Sequence, residues 1–269
     1  AMAIPLYVNT TDLESISDTI REAVDQVSHA FDTSDEVSVP NAVSPHLIGR
    51  ALKQFLDVLC RADSGRDSLA SNETMKIINI VIDEVAEQPL SRDEISEVGN
   101  HGLQLLDTLC EWADALNLPY QRHQIKAITV VVALWIARHG GELNSIESVV
   151  NTLAEMANST SEQDALAELS YIMGELIGAV SIQTRFDIDN SGQGHPWRVL
   201  NINRGIIATR SHDTSLMEHA FDELIQNFPE DAESFFKQGM EQMEELDYPD
   251  YVRAVMSRYF QQSKVRVLH

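Results

Sequence analysis

The chain has few basic residues, and this shortage limits what it can bind. It contains 19 lysines and arginines against 42 aspartates and glutamates, so its formal net charge at pH 7 is -23. Proteins that bind nucleic acids neutralise phosphates with clustered basic side chains. The field of this chain repels phosphate backbones and anionic membrane surfaces. We therefore expect no nucleic acid and no membrane as a partner; the charge favours solubility or a basic protein partner.

The chain also has little cysteine and no long apolar run. Cys60 and Cys110 each lie within an apolar helical pattern, which is typical of buried, unreactive thiols in a reducing cytoplasm. The longest uncharged apolar run, residues 127–137, has 11 residues, whereas a membrane span needs about 20. The first residues lack the pattern of a secretory or transit signal. These features predict a cytoplasmic location.

The motifs of common catalytic and cofactor sites are missing as well. The sequence has no HExxH or ExxH pair, no Cys-x-x-Cys pair, no phosphate-binding loop, no GxGxxG and no Gly-x-Ser-x-Gly. Those patterns supply metal ligands, cradle phosphates or dinucleotides, and present a nucleophilic serine. We therefore expect no cofactor and no catalytic residues.

Helical periodicity is what the sequence has in abundance. Apolar residues recur at three- and four-residue steps, as in Leu13, Ile16, Ile20, Val24, Val27 and Phe31, and in Met75, Ile77, Ile78, Val81, Ile82 and Val85. Residues 127–137 are apolar all round, which is typical of a helix surrounded by others. Ser91 and Glu94 have the spacing of a capping box. The sequence predicts an all-α fold of about ten antiparallel-packed helices, in a solenoid-like array or a bundle, with one short β-hairpin.

Glycine pairs interrupt two of the predicted helices. Gly99 and Gly102 indicate either close packing of another element or a kink. Gly174 and Gly178, one turn apart, indicate a flat patch where another helix packs closely. The second pair is therefore predicted to mark a contact between helices, whereas the first leaves both interpretations open.

Helical periodicity disappears between Arg185 and His212. Residues 198–202 and 206–210 flank Asn203-Arg204-Gly205, a pattern typical of a β-hairpin with glycine at its turn. We expect this hairpin to pack on the helices, because an isolated one is marginally stable. The sequence thus divides into a helical array at 1–184, a non-helical insert at 185–212 and a C-terminal helical subdomain at 213–269.

The insert holds the best candidates for a binding site. An aromatic ring, imidazoles and arginines on a loop favour an anionic or planar ligand. The alternative interpretation is that Trp197 anchors the loop and His195 is an ordinary surface residue. The candidate ligand-binding residues are His195, Trp197, Arg198, Arg204, Arg210 and His212.

Two partial motifs suggest a metal. Asp187, Asp189, Ser191 and Gly192 fit the first half of a calcium loop, but Arg198 stands where its bidentate glutamate belongs. His212-Asp213 resembles the metal-binding pair of the HD-domain phosphohydrolases, which are all-helical. That resemblance implies His195 as an earlier ligand and Asp247 or Asp250 as a later one. Asp213 is equally well explained as the N-cap of the following helix.

Charge is zoned along the second half of the chain. Residues 213–250 contain twelve acidic residues and one basic residue, Lys237, whereas the following residues contain Arg253, Arg258, Lys264 and Arg266. We expect this basic tail to pair with acidic helices of its own chain or of a second copy. Together with the missing motifs, the zoning favours a non-enzymatic cytoplasmic scaffold that binds a protein partner or self-associates. The alternative is a small-ligand or metal-dependent enzyme, similar to HD phosphohydrolases, centred on residues 185–212.

Overall fold

The computed structural model describes residues 13–34, 43–67, 90–187 and 194–266. In these ranges the chain forms eleven helices: α1 (Leu13–Thr33), α2 (Pro45–Asp67), α3 (Arg92–Ala115), α4 (Pro119–Arg138), α5 (Glu147–Ser159), α6 (Gln163–Ala179), α7 (Ile182–Arg185), α8 (Pro196–Arg210), α9 (Thr214–Asn227), α10 (Pro229–Glu245) and α11 (Asp250–Arg266). The same ranges contain no strand, and the isolated bridge between Leu143 and Val180 is parallel. The all-α prediction is therefore confirmed. The helix predicted from Met75 to Val85 lies outside the described residues.

The chain divides into two compact units, with a boundary between Glu142 and Leu143. Helices α1 to α4 belong to the N-terminal unit, and helices α5 to α11 belong to the C-terminal unit. The division after residues 184 and 212 stays a prediction. Among the described helices, none is long and apolar enough to cross a membrane.

In the N-terminal unit, α1 turns its predicted apolar stripe into the core, where Ile20, Val24 and Val27 are almost completely buried. Helix α1 packs on α2 and α4, and α3 packs on α4. Helix α4 buries residues on all sides, among them Ile128, Val130, Val132, Ala133, Leu134, Trp135 and Ile136. Burial on all sides explains why residues 127–137 of this helix have no polar face.

Close helix packing explains the glycines of α3. A Cβ atom added at Gly102 would overlap the ring of Phe55 on α2, and one added at Gly99 would overlap Ile136 on α4. The absent side chains let three helices approach one another. The close-packing interpretation is confirmed for this pair.

Local signals set the start of α3, as the sequence predicts, and both ends of α4. The Ser91 hydroxyl accepts a hydrogen bond from the Glu94 backbone N–H, while the Glu94 carboxylate accepts one from the Ser91 N–H at 2.8 Å. These reciprocal bonds lower the pKa of Glu94. Pro119 opens α4, and Gly140 follows its end in the left-handed region, with φ 78°.

In the C-terminal unit, aromatic rings form much of the core around Phe221. Its ring meets those of Phe235, Phe236 and Tyr259 edge to face, at centroid distances of 5.7, 5.0 and 5.2 Å. Phe221 and Phe236 are fully buried. This cluster joins α9, α10 and α11, because each of the three helices contributes at least one ring.

The predicted β-hairpin is wrong, because residues 196–210 form the helix α8. The buried positions Trp197, Leu200, Asn201, Gly205 and Ala208 follow the three- and four-residue steps of a helix. Polar residues and glycine occupy several of these positions, so the periodicity is hidden when only apolar residues are counted. Gly205 is a packing position rather than a turn residue, since a Cβ atom there would lie 2.7 Å from the Phe235 ring.

Candidate functional site

The first candidate residues, His195 and Trp197, hold the start of α8. The His195 imidazole caps the helix, since its Nδ1 accepts a hydrogen bond from the Trp197 backbone N–H at 3.2 Å. The Trp197 ring is buried and packs on Phe228, with ring centroids 5.0 Å apart. His195 thus caps α8, and Trp197 fastens α8 to the end of α9.

Arg185 connects the same tryptophan to the end of α6. Its Nε donates to the Val180 carbonyl at 2.8 Å, and its Nη2 donates to the carbonyl of Gly178 at 3.0 Å. Its guanidinium lies 5.3 Å from the Trp197 ring centroid. The last carbonyls of a helix have no hydrogen-bond partner within the helix, and Arg185 supplies donors to them. Its positive charge also interacts favourably with the negative end of the helix dipole.

Arg198 joins α8 to α10 through a bidentate pair. Its Nε and Nη2 each donate to a different carboxylate oxygen of Asp231 at 2.6 Å. These hydrogen bonds raise the pKa of the Arg198 guanidinium. Both side chains are about one-fifth exposed. The pair connects two helices within the unit, and the two N–H donors of the Arg198 fork are already bound to Asp231.

Arg204 is more buried than Arg198, with 11% of its side chain exposed against 21%. It forms an ion pair with Glu223 on α9, and burial lowers the pKa of its guanidinium. The guanidinium occupies the space above Gly174, where an added Cβ atom would come within 2.7 Å of Nη2. The predicted flat patch on α6 is therefore filled by an arginine; nothing lies within 4 Å of a Cβ added at Gly178.

The last candidates lie at the end of α8 and after it, and their side chains bind other helices or helix ends. They are Arg210, His212 and Asp213. Arg210 donates to the carbonyls of Ala157 and Thr160, at 3.0 and 2.9 Å, where α5 ends. His212, with φ 59°, accepts a hydrogen bond from Gln163 at 2.9 Å through Nδ1. The Asp213 carboxylate caps α9 by accepting from the Leu216 N–H at 3.0 Å.

The structure does not bring the predicted metal ligands together. His195 precedes α8 and His212 follows it, so the two imidazoles are separated by a helix roughly 20–25 Å long at 1.5 Å per residue. No group of three His, Cys, Asp or Glu side chains in the described ranges could hold a metal ion. Asp247 lies 3.9 Å from Arg253. Asp189, Ser191 and Gly192 of the candidate calcium loop lie outside the described residues.

The cysteine thiols are half-buried. Burial raises the pKa of the Cys110 thiol to about 11. This thiol is therefore protonated near neutral pH, and a protonated thiol is a poor nucleophile.

A different site lies in the N-terminal unit, in a groove between α1 and α2. We call it the α1–α2 groove; its volume is about 500 Å³, within the range of small-molecule sites. It is lined by Val24, Asp25, Ser28, His29 and Asp32 of α1 and by His46, Gly49, Arg50 and Lys53 of α2. Its walls therefore carry basic and acidic groups within reach of one ligand.

Three pairs of opposite charge cross between these two helices. His46 Nε2 lies 2.8 Å from Asp32 Oδ1, Lys53 Nζ lies 3.9 Å from Asp25 Oδ1, and Arg21 Nη2 lies 4.0 Å from Asp57 Oδ1. The second and third pairs are four residues apart on each helix, whereas the first two pairs are seven residues apart on each helix. The longer step contains Ser28 and His29 on α1 and Arg50 on α2.

Arg50 is the cation of this row that has no acid opposite it. Neither its guanidinium nor the His29 imidazole makes a hydrogen bond or ion pair within the described part of the chain. Sequence reasoning missed this site because Arg50, Lys53 and His46 look like an ordinary solvated helix face. The available signal was the first twelve residues of α2, 45–56, which contain these three basic residues and no acid.

Comparison of the chain with protein families, curated proteins and solved structures finds no match.

Proposed function

We propose that the chain is a non-enzymatic helical scaffold whose partner is a protein with a basic surface segment. The observation that carries this proposal is an acidic stripe on α10, formed by Glu230, Glu233, Glu241 and Glu244. All four side chains are exposed. At 100° per residue they fall within one 80° sector of the helix, whose centre is about 120° around the axis from the buried Ala232, Phe236 and Met243.

Two arginines of the basic tail make their contacts away from the stripe. Arg258 pairs with Glu218 of α9, and Arg253 donates to the Tyr248 carbonyl at 2.8 Å. Glu233, Glu241 and Glu244 make no ion pair with any described residue. The exposed Lys237 lies in the same sector, so the stripe carries four carboxylates against one ammonium. A surface with this excess of negative charge steers and orients a basic partner.

Apolar surface follows the stripe along the chain. Leu246 directly after α10 and Tyr251 in the first turn of α11 are 52% and 56% exposed. Protein interfaces combine a few exposed apolar or aromatic anchors with a polar rim. The α10 region supplies both kinds of group within one stretch of chain.

The enzyme alternative has weaker support. Of the six candidate side chains at 195–212, each one makes a contact that holds helices or helix ends of the C-terminal unit. A reaction centred there would have to break those contacts.

The test compares two triple variants of equal net charge. One carries Glu233→Lys, Glu241→Lys and Glu244→Lys in the stripe; the control carries Asp18→Lys, Glu97→Lys and Glu111→Lys on exposed positions of the N-terminal unit. Proteins crosslinked to each in native lysate are identified by quantitative mass spectrometry. We expect basic partners that the wild-type chain and the control capture and the stripe variant loses. Equal capture by both variants would overturn the proposal, and a second copy of the chain as the lost partner would identify self-association.

A further inference from the structure

We propose that the α1–α2 groove is a binding site for a small hydroxylated oxyanion, such as a phosphate monoester or a hydroxy acid. The groove is separate from the interaction surface on α10, because it belongs to the other unit and would bind a different kind of ligand. Acidic and basic side chains of α1 and α2 face each other along the groove, except at the step that contains Arg50.

Arg50 is the primary anion ligand. A guanidinium presents its N–H donors in a planar fork that matches the oxygens of carboxylate or phosphate. The Arg50 fork has no acceptor among the described residues, unlike Arg21 and Lys53, which lie near Asp57 and Asp25. An incoming oxyanion would supply the negative charge that the helix pair lacks at this step.

Neighbouring groups in the groove add donors on the same side. Lys53 is one helical turn beyond Arg50, and its Nζ is 3.9 Å from Asp25, which is longer than a hydrogen bond. Its ammonium therefore has donors for a second ligand oxygen. His29 on the opposite wall has an unpaired ring that can donate a further hydrogen bond.

The carboxylates of the groove define the rest of the ligand. Asp25 and Asp32 line the same space, and ionised carboxylates only accept hydrogen bonds. They disfavour a ligand with several charged groups and favour one whose hydroxyls donate to them. A volume of about 500 Å³ accommodates such a molecule.

The experiment is an NMR titration of the full chain with inorganic phosphate, glycerol 3-phosphate and glycerate, at constant ionic strength. The Arg50 Nε–Hε resonance reports binding directly. We expect saturable shifts centred on Arg50, His29 and Lys53, with a Kd on the order of millimolar for a small exposed site. Shifts that never saturate, or that spread over all exposed basic residues, would overturn the proposal.

Two variants and a control separate this site from general charge effects. Arg50→Gln should weaken binding by about tenfold or more, since it removes a charge-assisted bidentate contact. Arg21→Gln removes the same charge from the same helix pair outside the groove, and should leave the affinity unchanged. His29→Glu places the missing acid opposite Arg50 and should abolish binding without loss of thermal stability, so a folding defect cannot imitate the result.

The three probes decide the ligand class. Tighter binding of glycerol 3-phosphate than of inorganic phosphate supports hydroxyl contacts with the aspartates. Tighter binding of glycerate than of glycerol 3-phosphate identifies the carboxylate class. Equal binding of all three would overturn the role of Asp25 and Asp32, and equal affinity of the wild-type chain and Arg50→Gln would overturn the site.

Discussion

The two units of this protein use their basic residues differently. In the C-terminal unit, Arg185, Arg198, Arg204 and Arg210 each connect separate parts of the fold through hydrogen bonds or ion pairs. In the N-terminal unit, Arg21, Arg50 and Lys53 stand on the exposed face of a helix pair. Helix contacts there depend on apolar side chains that fill the space above glycines.

This difference indicates which basic side chains have donors left for a ligand. An arginine whose donors are occupied by its own fold cannot offer them to a ligand without loss of stability. An exposed arginine without an acceptor can donate its N–H groups to a ligand without that loss. The basic residues that look most functional in the sequence thus make contacts within the fold, and Arg50, on an inconspicuous helix face, has no acceptor among the described residues.

The largest expected effect is in the aromatic core of the C-terminal unit. Phe221→Ala removes the ring that contacts three others, and such truncations cost about 3–5 kcal/mol. Hydrogen exchange should show reduced protection in α9, α10 and α11. Unchanged protection in α3 and α4 would sharpen the distinction between the units, whereas uniform loss would show that they unfold together.

Glycine substitutions compare packing against an aromatic ring in the N-terminal unit with packing against an arginine in the C-terminal unit. Gly102→Ala forces a Cβ atom into the buried Phe55 ring, and we expect a loss of about 1–3 kcal/mol because overpacking outweighs the gain in helix propensity. Gly174→Ala meets the flexible end of Arg204, so the two effects should nearly cancel. Urea unfolding of both variants measures the contrast, and equal losses would contradict it.

Two buried tryptophans provide a smaller contrast. Trp112 Nε1 donates to the Val43 carbonyl at 2.9 Å, while Trp197 Nε1 is buried without a partner among the described residues. Trp112→Phe loses a hydrogen bond and Trp197→Phe removes an unsatisfied donor. We expect Trp112→Phe to be less stable than Trp197→Phe by about 1–2 kcal/mol. Thermal unfolding of the two variants checks this order.

Helix caps should give the smallest effect, and a similar one in both units. Ser91→Ala and Asp213→Ala each remove an N-cap acceptor, at a cost of about 1 kcal/mol. Unfolding in urea at pH 7 measures both losses. A difference of more than twofold between them would mean that the units also differ in their local helix energetics.

The cap of α3 has a defined pH dependence. Because the folded-state pKa of Glu94 is lowered, its carboxylate stabilises the fold above the ordinary glutamate pKa, and this contribution is lost as pH falls through the lowered value. The stability difference between the wild-type chain and Glu94→Gln should therefore be present at pH 6 and absent near pH 3. A difference that persists in acid would contradict this cause.

Much of the fold follows from local patterns. The stripe of α1, the Ser91 capping box and the N-cap at Asp213 are all predicted from neighbouring residues. Such signals depend on contacts three or four positions apart, which a sequence displays directly. Helix α8 was missed because its buried face contains Asn201, Arg204 and Gly205, and polar burial is recognisable only once the partners are known.

The sequence by itself determined that this chain is helical, acidic and without the common catalytic motifs, because periodicity, charge and motif spacing are local or additive properties. The tertiary structure alone decided which arginines are occupied. Glu223 and Asp231 lie 19 and 33 positions away from the arginines they bind. Only folding brings such distant residues together, and so only folding shows that Arg204 is used within the chain while Arg50 has no acceptor among the described residues.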